Sequence, residues 1–209
     1  MNRFWTSLTI IFALGITWAW AQSSSVLRQD FSCTSSDRPE WNDPTGNYTC
    51  QNDQLHLHAD FETYLYWQFG FDIADAILEV DAIKLSGKDT TALGLICRVK
   101  NNSFYAFLYY PETFGVGIYK YDRDEWDTLA WRTLSNSVKI NPSDTANRFT
   151  AECLGDKLTL SINKQPVLTA YDNDFHSGNV GTFASGDGSA REPFRVAFDN
   201  LEIFNAGQP

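Results

Sequence analysis

Basic residues are scarce in this sequence. Sixteen Lys and Arg stand against 26 Asp and Glu among 209 residues, giving a net charge of −10 and a pI near 4.6. That shortage argues against a nucleic-acid partner, because affinity for a phosphate backbone rests on Lys and Arg. It disfavours sulfated polysaccharides and anionic membrane surfaces for the same reason. Gly and Pro, at 13 and 7 residues, are too few for a collagen-like or low-complexity chain. With 43% apolar and 15% aromatic residues the chain is not disordered. Only three His are present and no Gly-x-Ser-x-Gly occurs, so a Ser–His–acid triad has little support. The four cysteines form no Cys-x-x-Cys and have no His at ligand spacing, which argues against a zinc site. Past residue 21 there is no convincing 3.6-residue apolar period, no fixed repeat and no linker.

One long apolar run does occur, Leu8 to Trp20, behind Arg3 and closed by Ala19-Trp20-Ala21. It is shorter than the roughly 20 apolar residues of a membrane span, and small residues occupy the two positions a signal peptidase reads. Residues 1–21 therefore read as a signal peptide cleaved after Ala21, and 22–209 as one secreted or extracytoplasmic domain without stable membrane insertion. In an exported chain, Cys33, Cys50, Cys97 and Cys153 read as two disulfides, with three pairings open. Cys33–Cys50 would close a polar loop, and Cys97–Cys153 would tie two distant strands.

From residue 54 onward short β-rich runs alternate with turn residues: 54–59, 63–69, 76–85, 92–100, 103–110, 115–122, 126–132, 148–155, 157–163, 167–172, 179–185 and 195–204. This spacing predicts an all-β, two-sheet antiparallel sandwich of the jelly-roll kind. Period-two alternation sorts the faces. Leu78, Val80 and Ala82 oppose Glu79 and Asp81. Leu93, Leu95, Cys97 and Val99 oppose Gly94, Ile96 and Arg98. Phe149, Ala151 and Cys153 fall together, so both Cys97 and Cys153 lie with apolar residues, which supports pairing them. Arg98 is expected on the face of Glu79 and Asp81, within reach of a charge pair.

The segments GLICRVKNNSFYAFLYY, GVGIYKYDRDEWDTLAW, RFTAECLGDKLTLSINKQPV and FDNLEIF, with the Asp172…Gly178-Asn179-Val180-Gly181 stretch, resemble secreted bacterial concanavalin A-like domains. The likeness is to their laminin-G-like and 3-keto-disaccharide-hydrolase-like jelly rolls, and DFSCTSSDRPEW with QLHLH resembles the same opening strands. The resemblance covers nearly all of 29–204 and implies two packed antiparallel sheets with the cysteine of GLICR bonded to the one before Gly155. Function it implies only weakly, because the fold serves lectins, adhesion modules and glycosidases alike.

Glu79-Val80-Asp81-Ala82-Ile83-Lys84 is similar to the E-x-D-x-x-E strand of glycoside hydrolase family 16. Retaining hydrolysis needs two carboxyl groups about 5 Å apart, and Lys84 stands where the acid/base Glu would be. The motif therefore reads as solvent-face strand residues rather than a catalytic set. His56 and His58 share a face opposite Leu55 and Leu57, without a third metal ligand, and read as surface residues. Asp172-Asn173-Asp174 admits a calcium reading but also a plain Asx turn, and no cofactor is expected. Aromatics are the best clue, since sugars stack on Trp and Tyr while polar groups hold the hydroxyls. Tyr119, Tyr121 and Trp126, with Arg98, Glu79 and Asp81, are the candidate carbohydrate contacts. Trp131, Tyr105 and Tyr109 are further aromatics nearby. Gly115 and Gly117, on the face of the two tyrosines, would let a flat ligand approach the backbone. The chain thus reads as a secreted, non-catalytic module for carbohydrate or a cell-surface glycan. A glycoside hydrolase acting on a disaccharide or glucan, and a structural or protein-binding laminin-G-like domain, are the alternatives.

Overall fold

Alternation along each run becomes a choice of face once the strands pair. The computed structural model describes residues 27–29, 31, 48–59, 64–142, 144–186 and 193–207. Residues 1–21, expected to be a signal peptide, and Cys33 lie outside them. Among the described residues fourteen strands form: β1 (Leu27–Gln29), β2 (Tyr48–Gln51), β3 (Gln54–Ala59), β4 (Tyr64–Gln68), β5 (Ala76–Ser86), β6 (Ala92–Lys100), β7 (Ser103–Tyr110), β8 (Gly115–Asp122), β9 (Glu125–Thr133), β10 (Asn147–Leu154), β11 (Lys157–Ile162), β12 (Gln165–Tyr171), β13 (Asn179–Ser185) and β14 (Phe194–Asn205). The twelve expected runs all appear within two residues at each end, and β1 and β2 are additional.

The strands make two antiparallel sheets. One has the order β12-β11-β10-β5-β14-β3-β2, with β1 also on β14; the other runs β4-β13-β6-β7-β8-β9. Several hairpins close through two residues that both have positive φ: Asn52-Asp53, Asn101-Asn102, Arg123-Asp124 and Asn163-Lys164. Asn and Asp tolerate that region, and such turns match the twist of paired strands.

One apolar cluster lies between the sheets. It takes Leu78, Val80, Phe149 and Ala151 from the larger sheet and Leu93, Leu95, Phe107, Val116 and Ile118 from the smaller. A second cluster draws only on the smaller sheet, with Ile96, Val99, Phe104, Leu108, Tyr121 and Phe183, and so lies on that sheet's outer face.

Cys97 of β6 and Cys153 of β10 are bonded across the sandwich, 56 residues apart, as the alternation suggested. Cys50 is also disulfide-bonded; its expected partner, Cys33, lies outside the described residues. By loop-closure entropy a bridge of this span contributes about 4 kcal/mol, through the restricted unfolded chain. The Cys97→Ser/Cys153→Ser double variant should lose about 2–4 kcal/mol of stability in urea unfolding under non-reducing conditions. A loss below about 0.5 kcal/mol would show that the bridge does not bear on stability.

Candidate functional site

The outer face of the smaller sheet follows from its register. Across it, Tyr66 pairs with Phe183, Phe183 with Gly94, Gly94 with Leu108, Leu108 with Gly117, and Gly117 with Trp131. Tyr119 and Tyr121 alternate with the core residues Val116 and Ile118, so they sit on this face as expected. Trp126 is opposite Tyr121, and the register shift between Ile118 and Tyr119 leaves one extra residue on β9. That extra residue puts Trp126 and Trp131, five positions apart, on the same face. Ring centroids lie 4.8 Å apart for Tyr121 and Trp126, 6.1 Å for Tyr119 and Trp126, and 5.4 Å for Tyr110 and Trp131. Trp126 and Trp131 are 41% and 47% exposed, whereas Tyr121 is only 4% exposed. Tyr121 also donates its hydroxyl to Asp124 Oδ1 at 2.8 Å. The two tryptophans are thus the accessible rings, on a floor of buried ones.

The glycines serve a different purpose from the one expected. A Cβ on Gly115 would lie 2.2 Å from the Trp131 ring, and one on Gly117 would lie 2.2 Å from the Tyr119 ring. The space over the backbone is filled by the protein's own aromatics, not left for a ligand.

Glu79 and Asp81 lie elsewhere. Their strand β5 belongs to the larger sheet, and they alternate with the core residues Leu78, Val80 and Ala82. They therefore face away from the smaller sheet, on the opposite side of the sandwich from Trp126. Their cation is Arg148 of β10, not Arg98. Its Nη2 is 3.2 Å from Glu79 Oε2 and 3.0 Å from Glu202 Oε2, and its Nη1 is 3.5 Å from Asp81 Oδ1. Asn200 Nδ2 donates to Asp81 Oδ2 at 2.9 Å. β5 pairs with β10 in regular register through Ala82 and with β14 from Asp81 to Lys84, so Lys84 falls on the other face from Glu79 and Asp81. There its ammonium meets Glu112 Oε1 at 3.0 Å and the Lys88 carbonyl at 2.7 Å.

Arg98 departs furthest from its expected place. It has φ of 54°, and the β6–β7 register shifts between Cys97 and Lys100. The bulge sends Val99 to the outer cluster and turns Arg98 into the end of the sandwich, where it is 2% exposed. Its guanidinium donates to the carbonyls of Ala74 at 3.1 Å, Phe175 at 2.8 Å and Gly155 at 2.7 Å. A buried charge needs such partners, and so engaged it is not available to a ligand's hydroxyls.

The same end holds the Asp172-Asn173-Asp174 turn. Lys120 places its ammonium 2.8 Å from Asp174 Oδ2, 3.5 Å from Asp127 Oδ2 and 3.7 Å from Asp172 Oδ2. A side-chain cation thus sits among these carboxylates. Tyr105 donates its hydroxyl to Asp172 Oδ1 and accepts from Phe175 N–H at 3.0 Å, so Tyr105 is a core residue of this end. Tyr109 also points into the core. His58 shares the outer face of β3 as expected. His56, however, is buried rather than at the surface, and burial, followed by the positive charge of Arg195, lowers its pKa. Among the described residues no three His, Cys, Asp or Glu converge on a metal position.

No family model matches this sequence, and neither does any curated protein. Solved structures do. The carbohydrate-binding module CBM66 from Bacillus subtilis superposes with a TM-score of 0.63 at 14% identity, over 75% of this chain and 90% of that one. The laminarinase catalytic domain from Thermotoga maritima MSB8 gives 0.61 at 14% identity, over 89% and 99%. A protein of unknown function with a galectin-like fold, also from Bacillus subtilis, gives 0.63 at 11%, over 88% and 97%. The fold is a concanavalin A-like jelly roll. Structures sharing this jelly roll thus include both a carbohydrate-binding module and a glycoside hydrolase.

The Asp172 network generates a pH dependence. Burial favours the neutral acid, but the Tyr105 hydroxyl, the Asp174 N–H and the Lys120 ammonium outweigh it and lower the carboxyl below its usual value near 3.8. A carboxylate with a depressed folded pKa stabilises above its unfolded pKa and loses that contribution as pH falls through the folded one. Asp172→Asn should therefore cost about 1 kcal/mol or more at pH 7, with the gap to wild type closing below about pH 4. Urea midpoints measured from pH 7 to pH 2 check this. A gap independent of pH would remove the charge from the account.

Proposed function

We propose that this jelly roll is a secreted, non-catalytic carbohydrate-binding module that holds glycan chains on the outer face of its smaller sheet. The observation that carries the reading is the pair of accessible tryptophans, Trp126 and Trp131, aligned on one face by the β9 bulge. Because of the bulge they stand opposite Tyr121 and Gly117, four positions apart on β8, roughly 13 Å along a strand and the length of a short oligosaccharide. Exposed rings over a rigid, buried aromatic floor suit stacking against the apolar faces of sugars. Tyr119 flanks them, while Tyr121 supports Trp126 from below.

Secretion accords with the leader at residues 1–21 and with the Cys97–Cys153 bond, since disulfides persist in oxidising compartments. Among the described residues no helix is long and apolar enough to cross a membrane.

The hydrolase reading has the neighbouring enzymes on its side and the placement of the carboxylates against it. A sugar stacked on Trp126 would be separated from Glu79 and Asp81 by the whole core, about 10 Å of side chains between two sheets. Those carboxylates are moreover held in ion pairs with Arg148.

Retention on insoluble polysaccharides such as β-1,3-glucan and cellulose tests the reading, with and without calcium. Trp126→Ala and Trp131→Ala should each weaken retention about tenfold or more, equivalent to about 1.4 kcal/mol, and EDTA should leave it unchanged. Wild-type retention by both variants would place binding elsewhere. Glu79→Gln should leave any hydrolysis of laminarin unchanged; a large fall in turnover with folding intact would restore the enzyme reading.

A further inference from the structure

The two ends of the sandwich are built differently. At one, Arg98 and the Cys97–Cys153 bond close the gap between the sheets. At the other, a cleft of about 690 Å³ opens between them, bounded by the end of β5, the turn at 111–114 and the connection at 140–145. That volume lies within the roughly 300–1,000 Å³ of small-molecule sites.

Its chemistry is polar but balanced. Lys84, whose side chain is 8% exposed, meets Glu112, so the ammonium is neutralised within the wall. Tyr109 lines the cleft, and its hydroxyl has no hydrogen-bond partner among the described residues, unlike those of Tyr105 and Tyr119. Burial, followed by the negative charge of Glu112, pushes Tyr109 up to about 12, so it remains a neutral donor and acceptor at physiological pH. Phe114, half exposed, and Pro142 give the mouth apolar edges. An ionic ligand would find no uncompensated countercharge here. A purely apolar one would leave the Tyr109 hydroxyl unmet. A ring with an apolar face and hydroxyls at its edge satisfies both walls.

We propose that this inter-sheet cleft is a second binding site, taking the end of a neutral saccharide, independent of the aromatic face. None of the residues named for it contributes to that face, so either site can fail without the other.

Backbone amide NMR of the full-length protein, titrated with cellobiose, laminaribiose and sucrose, tests the assignment, with glucuronic acid as the charged comparator. At least one neutral disaccharide should give saturable shifts at residues 84–87, 111–114 and 140–145. Tyr109→Phe, which deletes only a hydroxyl, should weaken that binding about tenfold. Phe114→Ala, at an exposed turn, should weaken it severalfold and carries the test if Tyr109→Phe unfolds. Trp126→Ala should lose polysaccharide retention and keep the shifts in the cleft. The proposal is overturned by the absence of saturable shifts there for every neutral disaccharide, or by preferential binding of glucuronic acid. Wild-type affinity in every folded cleft variant, or loss of the cleft shifts in folded Trp126→Ala, overturns it equally.

Discussion

A guanidinium removed from water must have its donors met by protein, and Arg98 meets them with three carbonyls from three separate connections. Ala74 precedes β5, Gly155 turns β10 into β11, and Phe175 lies between β12 and β13. The side chain therefore holds parts of both sheets to one point, directly beside the Cys97–Cys153 bond. To reach that point the chain takes a left-handed residue and a bulge, which reverses the facing of Val99 and supplies a residue to the outer apolar cluster. Deleting the guanidinium would remove three part-buried, charge-assisted hydrogen bonds, each contributing about 1.5–3 kcal/mol. The fixed position of the 172–178 segment follows from this anchor, with the Tyr105–Asp172–Lys120 network built upon it. The disulfide restricts the unfolded chain, whereas Arg98 specifies the folded one.

The aromatic face obeys a different constraint. A strand's outer face can carry large rings only where its neighbours leave room. Here Gly115 and Gly117 leave it, receiving Trp131 and Tyr119 respectively. The rings pack on backbone, which holds them more rigidly than side chains of their own length would. Rigid rings lose little entropy on stacking against a ligand, so in the proposed binding role the glycines would act indirectly, by ordering the rings.

Much of this was legible in the sequence because it rests on period-two alternation. The strands from 54 onward, the inward Leu78–Val80–Ala82 row and the outward Tyr119 and Tyr121 follow from counting by twos, which also supported the Cys97–Cys153 pairing. Counting fails at a bulge. Alternation alone put Arg98 beside Glu79 and Asp81, because nothing in Cys97-Arg98-Val99 announces a left-handed residue. Arg148 as their true partner depends on β10 lying beside β5, a long-range pairing that no local pattern encodes. Surface placement failed for His56 because alternation gives the side of the sheet, not what covers it. The empty space expected over the glycines failed likewise, since their occupants come from Trp131 on a neighbouring strand and from Tyr119 two residues along.

The same jelly roll supports binding modules and hydrolases because its two outer faces and its two ends are four separate surfaces. Hydrolysis of a sugar stacked as proposed would require the carboxylates to share one surface with the exposed tryptophans. In this chain they do not. Glu79, Asp81 and Glu202 surround Arg148 on the larger sheet, while Trp126 and Trp131 project from the smaller one. A lost Glu at position 84 would be a minor departure if the remaining acids faced the aromatics, since a single substitution could restore the set. With β5 in regular register from Asp81 to Lys84, even Lys84→Glu would place its carboxylate on the core side, away from Glu79. The orientation of the strand, more than the identity of one residue, keeps position 84 apart from Glu79 and Asp81.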